Sequence, residues 1–271
     1  RRALRERVGH RQNDGFLLGH VAGELAERLA SVTRDFHSAL IIGPISSFQN
    51  IIIGDRQCDV AIASLSASEA LSTEDPVIEE DRLPFDPESF DLIIAAGTLD
   101  SVNDLPGALV QIRRCLKPDG LFLAHMFGAG TLASLKSLMM AAEGKQAAPH
   151  IHPQIDLRSA ADLLSRAGFA LPVADQDIMP VRYSNWRKLV DDIHNAGVGN
   201  ALAGSRRYLG KGIFSRLDSE WLSRLGSSTK IEETYVHIHL SGWAPSPDQP
   251  QPAKRGSGKV SLAAILPPSK P

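Results

Sequence analysis

The segment from Phe90 to Phe127 constrains the fold more than any other part of the chain. Phe90-Asp-Leu-Ile-Ile-Ala-Ala96 is a nearly unbroken apolar run, the pattern of a strand covered on both faces. Asn103-Asp-Leu-Pro106 then supplies a capping side chain and an early proline, which together start a helix through Leu109, Ile112 and Leu116. Lys117-Pro-Asp-Gly120 stops that helix with turn chemistry, and Leu121 to Phe127 is a second apolar run. A strand, a crossover helix and another buried strand imply parallel pairing with helices on both faces. The expectation is an α/β fold, with a mostly parallel sheet flanked by helices and an antiparallel strand near the C-terminus.

The rest of the chain keeps that alternation. Leu17, Val21, Leu25 and Leu29 form an i, i+4 stripe, so Phe16 to Ala30 reads as an amphipathic helix. Ala39-Leu-Ile-Ile-Gly43 reads as a buried strand entering a loop. Gln49 to Gly54 and Cys58 to Ala63 are further apolar runs, and Cys58 to Ala63 is expected to be the second core strand. A short helix is expected within the Ser-rich stretch Ser64 to Thr73. Asp156 caps a helix that Gly168 ends, and Asn185 to Asn195 is another helix, with Trp186, Leu189, Val190 and Ile193 on one side. From Ala244 the chain is rich in Pro, Ser, Gln and Gly and reads as a disordered tail. The organisation expected is one domain over 1–243, a helical lid insert over about 184–212, and a tail over 244–271.

Several function classes fall away on composition. Net charge is −2 and the sequence pI is about 6.5, so neither nucleic acid nor a membrane surface is an implied partner. Cys58 and Cys115 make no disulfide framework and no Cys-x-x-Cys pair, which fits a reducing compartment, the bacterial cytoplasm or an organelle matrix. No apolar run approaches the roughly 20 residues that span a bilayer, so no integral membrane segment is expected.

Leu83-Pro-Phe-Asp-Pro-Glu-Ser-Phe-Asp-Leu-Ile-Ile-Ala-Ala96 and Leu105-Pro-Gly-Ala-Leu-Val-Gln-Ile-Arg-Arg-Cys-Leu-Lys-Pro-Asp-Gly120 resemble the second half of a class I S-adenosylmethionine (SAM) methyltransferase domain of the type 11 group. Leu163-Leu-Ser-Arg-Ala-Gly-Phe169, Val181-Arg-Tyr183, Asp191 to Leu202 and Gly242-Trp-Ala-Pro245 resemble a narrower subfamily. That subfamily includes the malonyl-carrier-protein methyltransferases of biotin synthesis and, more closely, the arginine-hydroxylating assembly factors of respiratory complex I. The resemblance extends over roughly residues 10 to 250 and implies a Rossmann-like methyltransferase fold with SAM as cofactor.

In that family an acidic residue two positions before a Gly-x-Gly loop opens the cofactor site. Here Gly43 matches the first glycine, Ile41 stands at the acid, Ile45 replaces the second glycine, and Pro44 removes a backbone donor. Ser64 stands where the second strand ends in a ribose-binding carboxylate. The acid that meets the adenine amino group maps to Glu79, with Glu80 and Asp81 beside it, or these three form a solvated acidic loop. Ala96 and Thr98 follow the fourth strand of the family pattern, and Asp100 and Ser101 replace its His-Trp pair. These departures predict SAM binding that is weak or lost. No catalytic residue is assigned.

Asp104 reads as a helix cap and Asp100 as a loop acid or a site residue. Tyr183, Asn200 and Arg207 either line a substrate pocket or pack the lid. His237 and His239 share one face of a strand, and a solvent-facing pair is expected because no carboxylate or cysteine lies nearby in sequence to complete a metal site. Two functions follow. One is a SAM-dependent methyltransferase with a degenerate cofactor loop, acting on a small molecule or a protein. The other is a non-methylating assembly factor that works through a protein partner. A plain nucleotide-binding module is a third class, which the subfamily resemblance disfavours.

Overall fold

The computed structural model describes residues 15–65, 74–144, 150–196, 200 and 209–250. Among these, six strands form one sheet: β1 (Ser38–Ile42), β2 (Asp59–Ala63), β3 (Phe90–Ala96), β4 (Leu116–Phe127), β5 (Ala170–Tyr183) and β6 (Ile231–Trp243). Their order is β2-β1-β3-β4-β6-β5. The first four lie parallel, and β6 runs antiparallel to both β4 and β5. The helices are α1 (Phe16–Ala30), α2 (Gln49–Ile53), α3 (Leu105–Cys115), α4 (Ala133–Glu143), α5 (Leu157–Arg166), α6 (Trp186–Asn195) and α7 (Lys211–Leu225).

The continuous apolar runs resolve into the two-residue period of a strand once both faces are covered. Ala39, Ile41, Leu92, Ile94, Leu121 and Leu123 point to one core, built with α1, α4, α6 and α7. Leu40, Ile42, Ile93, Ala95, Phe122 and Ala124 point to the other, built with α3 and α5. The crossover helix α3 starts where expected, because the Asp104 side chain accepts a hydrogen bond from the Gly107 amide at 2.9 Å. Asp156 and Asn185 cap α5 and α6 in the same way.

Asp91 ties the centre of the sheet together. Its two carboxylate oxygens accept from the backbone amides of His37 at 3.0 Å and Ser38 at 2.9 Å, at the entry to β1. Lys117 lies 4.0 Å away, and Asp91 is buried. One carboxylate thus satisfies two donors that the first residue of a strand leaves open.

The apolar run at Gln49 forms a short helix, Gln49–Ile53: Ile52 and Ile53 are buried, Ile51 is exposed, and Gly54 at φ +60° ends the turn. Two expectations change. The strand expected at Cys58–Ala63 forms as Asp59–Ala63 but lies at the edge of the sheet among the described residues. Beyond β2, Val77 pairs with Ser64 through one isolated parallel bridge. The tail does not begin at 244. The Ala244 amide donates to the Gly120 carbonyl at 2.8 Å, the Asp119 amide donates to the Ala244 carbonyl at 3.1 Å, and Gln249 Nε2 donates to Asp119 Oδ1 at 2.8 Å. The helix expected within Ser64–Thr73 falls mainly on 66–73, outside the described residues.

Replacing Asp91 with alanine removes a buried carboxylate and leaves the part-buried amides of His37 and Ser38 without their acceptor. The Asp91→Ala protein is expected to lose about 3 kcal/mol of stability, read from the shift of the urea midpoint at constant slope.

Candidate functional site at the carboxyl edge of the sheet

The loops that follow β1, β2 and β3 gather at one edge of the sheet. Gly43 has φ +92° and leads into a tight 3-10 turn, Pro44–Phe48. A Cβ on Gly43 would lie 2.9 Å from both the Ala96 carbonyl oxygen and Thr98 Cγ2, so only glycine fits. Gly97 is the converse: a Cβ there would lie 2.9 Å from Pro44 Cγ and 3.5 Å from Leu18 Cδ2. The loop after β1 therefore packs directly on the loop after β3, with α1 against both. Ile45, Ala96 and Thr98 are fully buried beneath this contact, and Ile41 belongs to the core on the α1 face.

Ser64 ends β2. Its backbone pairs with Pro76 and Ile78, and its hydroxyl is buried with no protein hydrogen-bond partner. The acidic stretch divides in a way the sequence did not order. Glu79, the position to which the family acid maps, is exposed, whereas Glu80 is fully buried and accepts a hydrogen bond from the Thr98 hydroxyl. Asp81 keeps one buried oxygen without a partner. Asp100 lies in the 3-10 turn Leu99–Ser101 and accepts from the Phe127 amide, linking the ends of β3 and β4. Burial pushes its carboxyl up to about 7, against the pull of that amide.

The last two strands run on past β4. Phe127, the last residue of β4, is paired with His237, while β6 begins at Ile231 and β5 ends at Tyr183. This extension carries α6 and α7. Tyr183 is buried there, its hydroxyl 2.9 Å from that of Tyr235; burial first, then this bond and Asp192, raise its pKa. Tyr183 is thus an inner anchor of the extension. Asn200 is half-buried, and Arg207 lies outside the described residues.

The histidines overturn an expectation. His237 and His239 do alternate with Val236, Ile238 and Leu240, but both faces of β6 are covered, so neither ring meets solvent. They join His125 of β4 and His20 of α1, two residues that the sequence reading passed over. The available signal was His125 itself, a polar residue inside the otherwise apolar run Leu121–Phe127. Among the described residues no three His, Cys, Asp or Glu side chains are gathered as metal donors.

Asp100 gives a pH signature. Its folded pKa lies above the unfolded value near 3.9, so the contribution of Asp100 to stability falls as pH rises from about 4 to about 7. An amide keeps the acceptor for Phe127 without the charge. Asp100→Asn is expected to be roughly 2 kcal/mol more stable than the parent chain at about pH 8, with the gap closing toward pH 4 in urea titrations.

Residues 48–124 match the methyltransferase domain family model. The chain is 30% identical over 262 residues to the mitochondrial arginine-hydroxylase NDUFAF5 of Danio rerio, covering 92% of this chain and 82% of that protein. It is 30% identical over 273 residues to the human protein of that name, covering 94% and 79%. Malonyl-[acyl-carrier protein] O-methyltransferase of Gallionella capsiferriformans (strain ES-2) is 29% identical over 201 residues, 70% of this chain and 68% of that one. A crystal structure of a proposed methyltransferase from Bacillus halodurans C-125 superposes with a TM-score of 0.56 at 10% identity, over 83% of this chain and 99% of that one, a likeness of fold alone. On that similarity, 30% identity over most of both chains, the chain belongs to the NDUFAF5 arginine-hydroxylase family of class I methyltransferase-fold proteins.

Proposed function

We propose that this chain is a methyltransferase-fold protein that does not use SAM as a methyl donor and works through a protein partner, as an assembly factor of the complex I type. The observation that carries this reading is the closure of the two loops on each other, Thr98 on Gly43 and Pro44 on Gly97. In the family pattern a glycine loop lets the cofactor approach the backbone, and the helix behind it aims its N-terminus at the methionine carboxylate. Here the loop is followed by a 3-10 turn and then by a helix of only five residues, and Ile45 is fully buried where the second glycine is expected. Pro44 has no amide to donate.

The remaining polar positions fit SAM poorly. A ribose diol wants a carboxylate that accepts from both hydroxyls, and Ser64 brings one buried hydroxyl. Glu80 is engaged with Thr98, and Glu79 is exposed to solvent. Each lost polar contact of about 1.4 kcal/mol weakens binding tenfold, so three of them move a micromolar site to roughly millimolar. The described part of the expected lid, α6 at Trp186–Asn195, then offers a face to a partner, in the bacterial cytoplasm or an organelle matrix.

A second reading, action on a protein arginine, draws on the name of the relatives and on Asp100. A carboxyl held near neutrality at the carboxyl edge can accept a guanidinium or move a proton there. Its sign would be binding: an arginine-containing peptide held by the parent chain at about pH 8 and released in Asp100→Asn, read by calorimetry.

Calorimetric titration with SAM and with S-adenosylhomocysteine tests the first reading. The expected outcome is no heat at ligand concentrations up to about 100 μM, the range in which a micromolar site saturates. A micromolar dissociation constant for either ligand would return the chain to the ordinary methyltransferases.

A further inference from the structure

A layer of ionisable side chains lies between α1 and the last strands of the sheet. His20, Glu24 and Arg28 repeat every four residues along α1 and so share one flank of it. Opposite them the pairing of three strands sets two rows. Asp175, His239 and His125 lie side by side on β5, β6 and β4, and Asp177, His237 and Phe127 form the next row. His125 Nε2 lies 2.9 Å from His237 Nδ1, the His125 and His239 rings are 5.2 Å apart, and the His20 ring meets His237 edge-on at 5.2 Å. Arg28 closes the outer side, 2.6 Å from both Glu24 Oε2 and Asp175 Oδ1.

Three of the four imidazoles are fully buried: His125, His237 and His239 are at most 1% exposed. His125 Nδ1, His237 Nε2, both nitrogens of His239 and His20 Nε2 have no protein partner. The charged groups facing the layer are Glu24 and Arg28 from α1, and Asp175 and Asp177 from β5. None of these carboxylates is hydrogen-bonded to an imidazole in the contacts described. The hydrogen bond between His125 and His237 needs one of its two nitrogens unprotonated, so charging both rings breaks it. Charging two rings about 5 Å apart also sets like charges against each other in a poorly solvated layer.

We propose that this layer is an acid-sensitive latch for α1: neutral imidazoles seal the helix on β4 and β6, and their protonation drives the helix off the sheet before the rest of the fold opens. The helix is the element that moves because β4 and β6 are hydrogen-bonded to neighbours on both sides, whereas α1 is held by side chains. Release would uncover the carboxyl edge, since Leu18 packs on the Gly97 loop and Gly19 faces Phe48 of the Pro44–Phe48 turn. The idea is independent of whether SAM binds.

The electrostatics run in the required direction. Burial, then His20 and His239, push His237 down to about 4. Burial and Arg28 push His239 down to about 4, and burial with the neighbouring histidines holds His125 well below its ordinary value. Folded values below the unfolded 6.5 mean stability that is present above about pH 6.5 and lost as pH falls toward 4. Each such histidine shifts the opening equilibrium up to about tenfold per pH unit in that window.

Hydrogen exchange of the full chain at about pH 7 and about pH 5, with times scaled for intrinsic exchange, tests the latch. Peptides covering Phe16–Ala30 are expected to lose at least about tenfold more protection than peptides covering Phe90–Ala96, and the difference is expected to vanish in His237→Phe/His239→Phe. Loss of protection in α1 and β3 in step, or an unchanged difference in the double variant, would overturn it. Should that variant fail to fold, proton resonances of the histidine rings in the parent chain decide. Rings of His125, His237 and His239 that stay neutral until α1 opens support the latch, and rings that titrate near 6.5 with α1 still protected refute it.

Discussion

The antiparallel insertion of β6 between β4 and β5 is the constraint on which most of the molecule's distinctive features rest. It aligns His125, His239 and Asp175 in one row and brings β5 back parallel to β4 at the far edge. It also lets two strands outrun the parallel ones, so that α6 and α7 have a support beyond Phe127. A hydrogen-bonded strand cannot slip by one residue without turning every side chain to the other face. The histidines are therefore committed to the α1 side by the same register that places Val236, Ile238 and Leu240 on the other.

The carboxyl edge combines an inherited shape with altered contents. The strand ends and loops meet there, and Ile45, Ala96 and Thr98 between them are buried. Gly43 keeps the left-handed backbone of a close-approach glycine, yet what approaches it is Thr98 of the same chain. The polar groups left over are few and enclosed: the Ser64 hydroxyl, one oxygen of Asp81, and a Glu80 that faces Thr98. Asp100 stands apart, since its shifted carboxyl is the sort of group that stable cores avoid and working sites retain.

Much of this was legible in the sequence where one principle acts alone. The β3–α3–β4 unit could be read because unbroken apolar runs, an Asp104 cap and the Lys117–Gly120 stop all agree. The reading failed where tertiary packing decides. Alternation on β6 was visible, but alternation does not say whether the polar face meets water, and α1 covers it. Glu79 and Glu80 are adjacent and chemically equal, so the choice of which carboxylate turns inward depends on Thr98, eighteen positions along the chain. Gln49–Ile53 has the composition of a strand and the geometry of a helix, because the Pro44 turn leaves it on the surface with one side to bury. Ala244 to Gln249 has a tail's composition but finds partners on Asp119.

That last contact reaches further than its size. Asp119 receives Arg34 from the connection after α1 and Gln249 from beyond β6, at the amino ends of β1 and β4. Sequence that continues past residue 250 therefore sets out from the pole of the sheet opposite Gly43, Ser64 and Asp100. A tag fused directly after Pro250 would start at the amino ends of the parallel strands, on the side of the sheet away from the carboxyl edge.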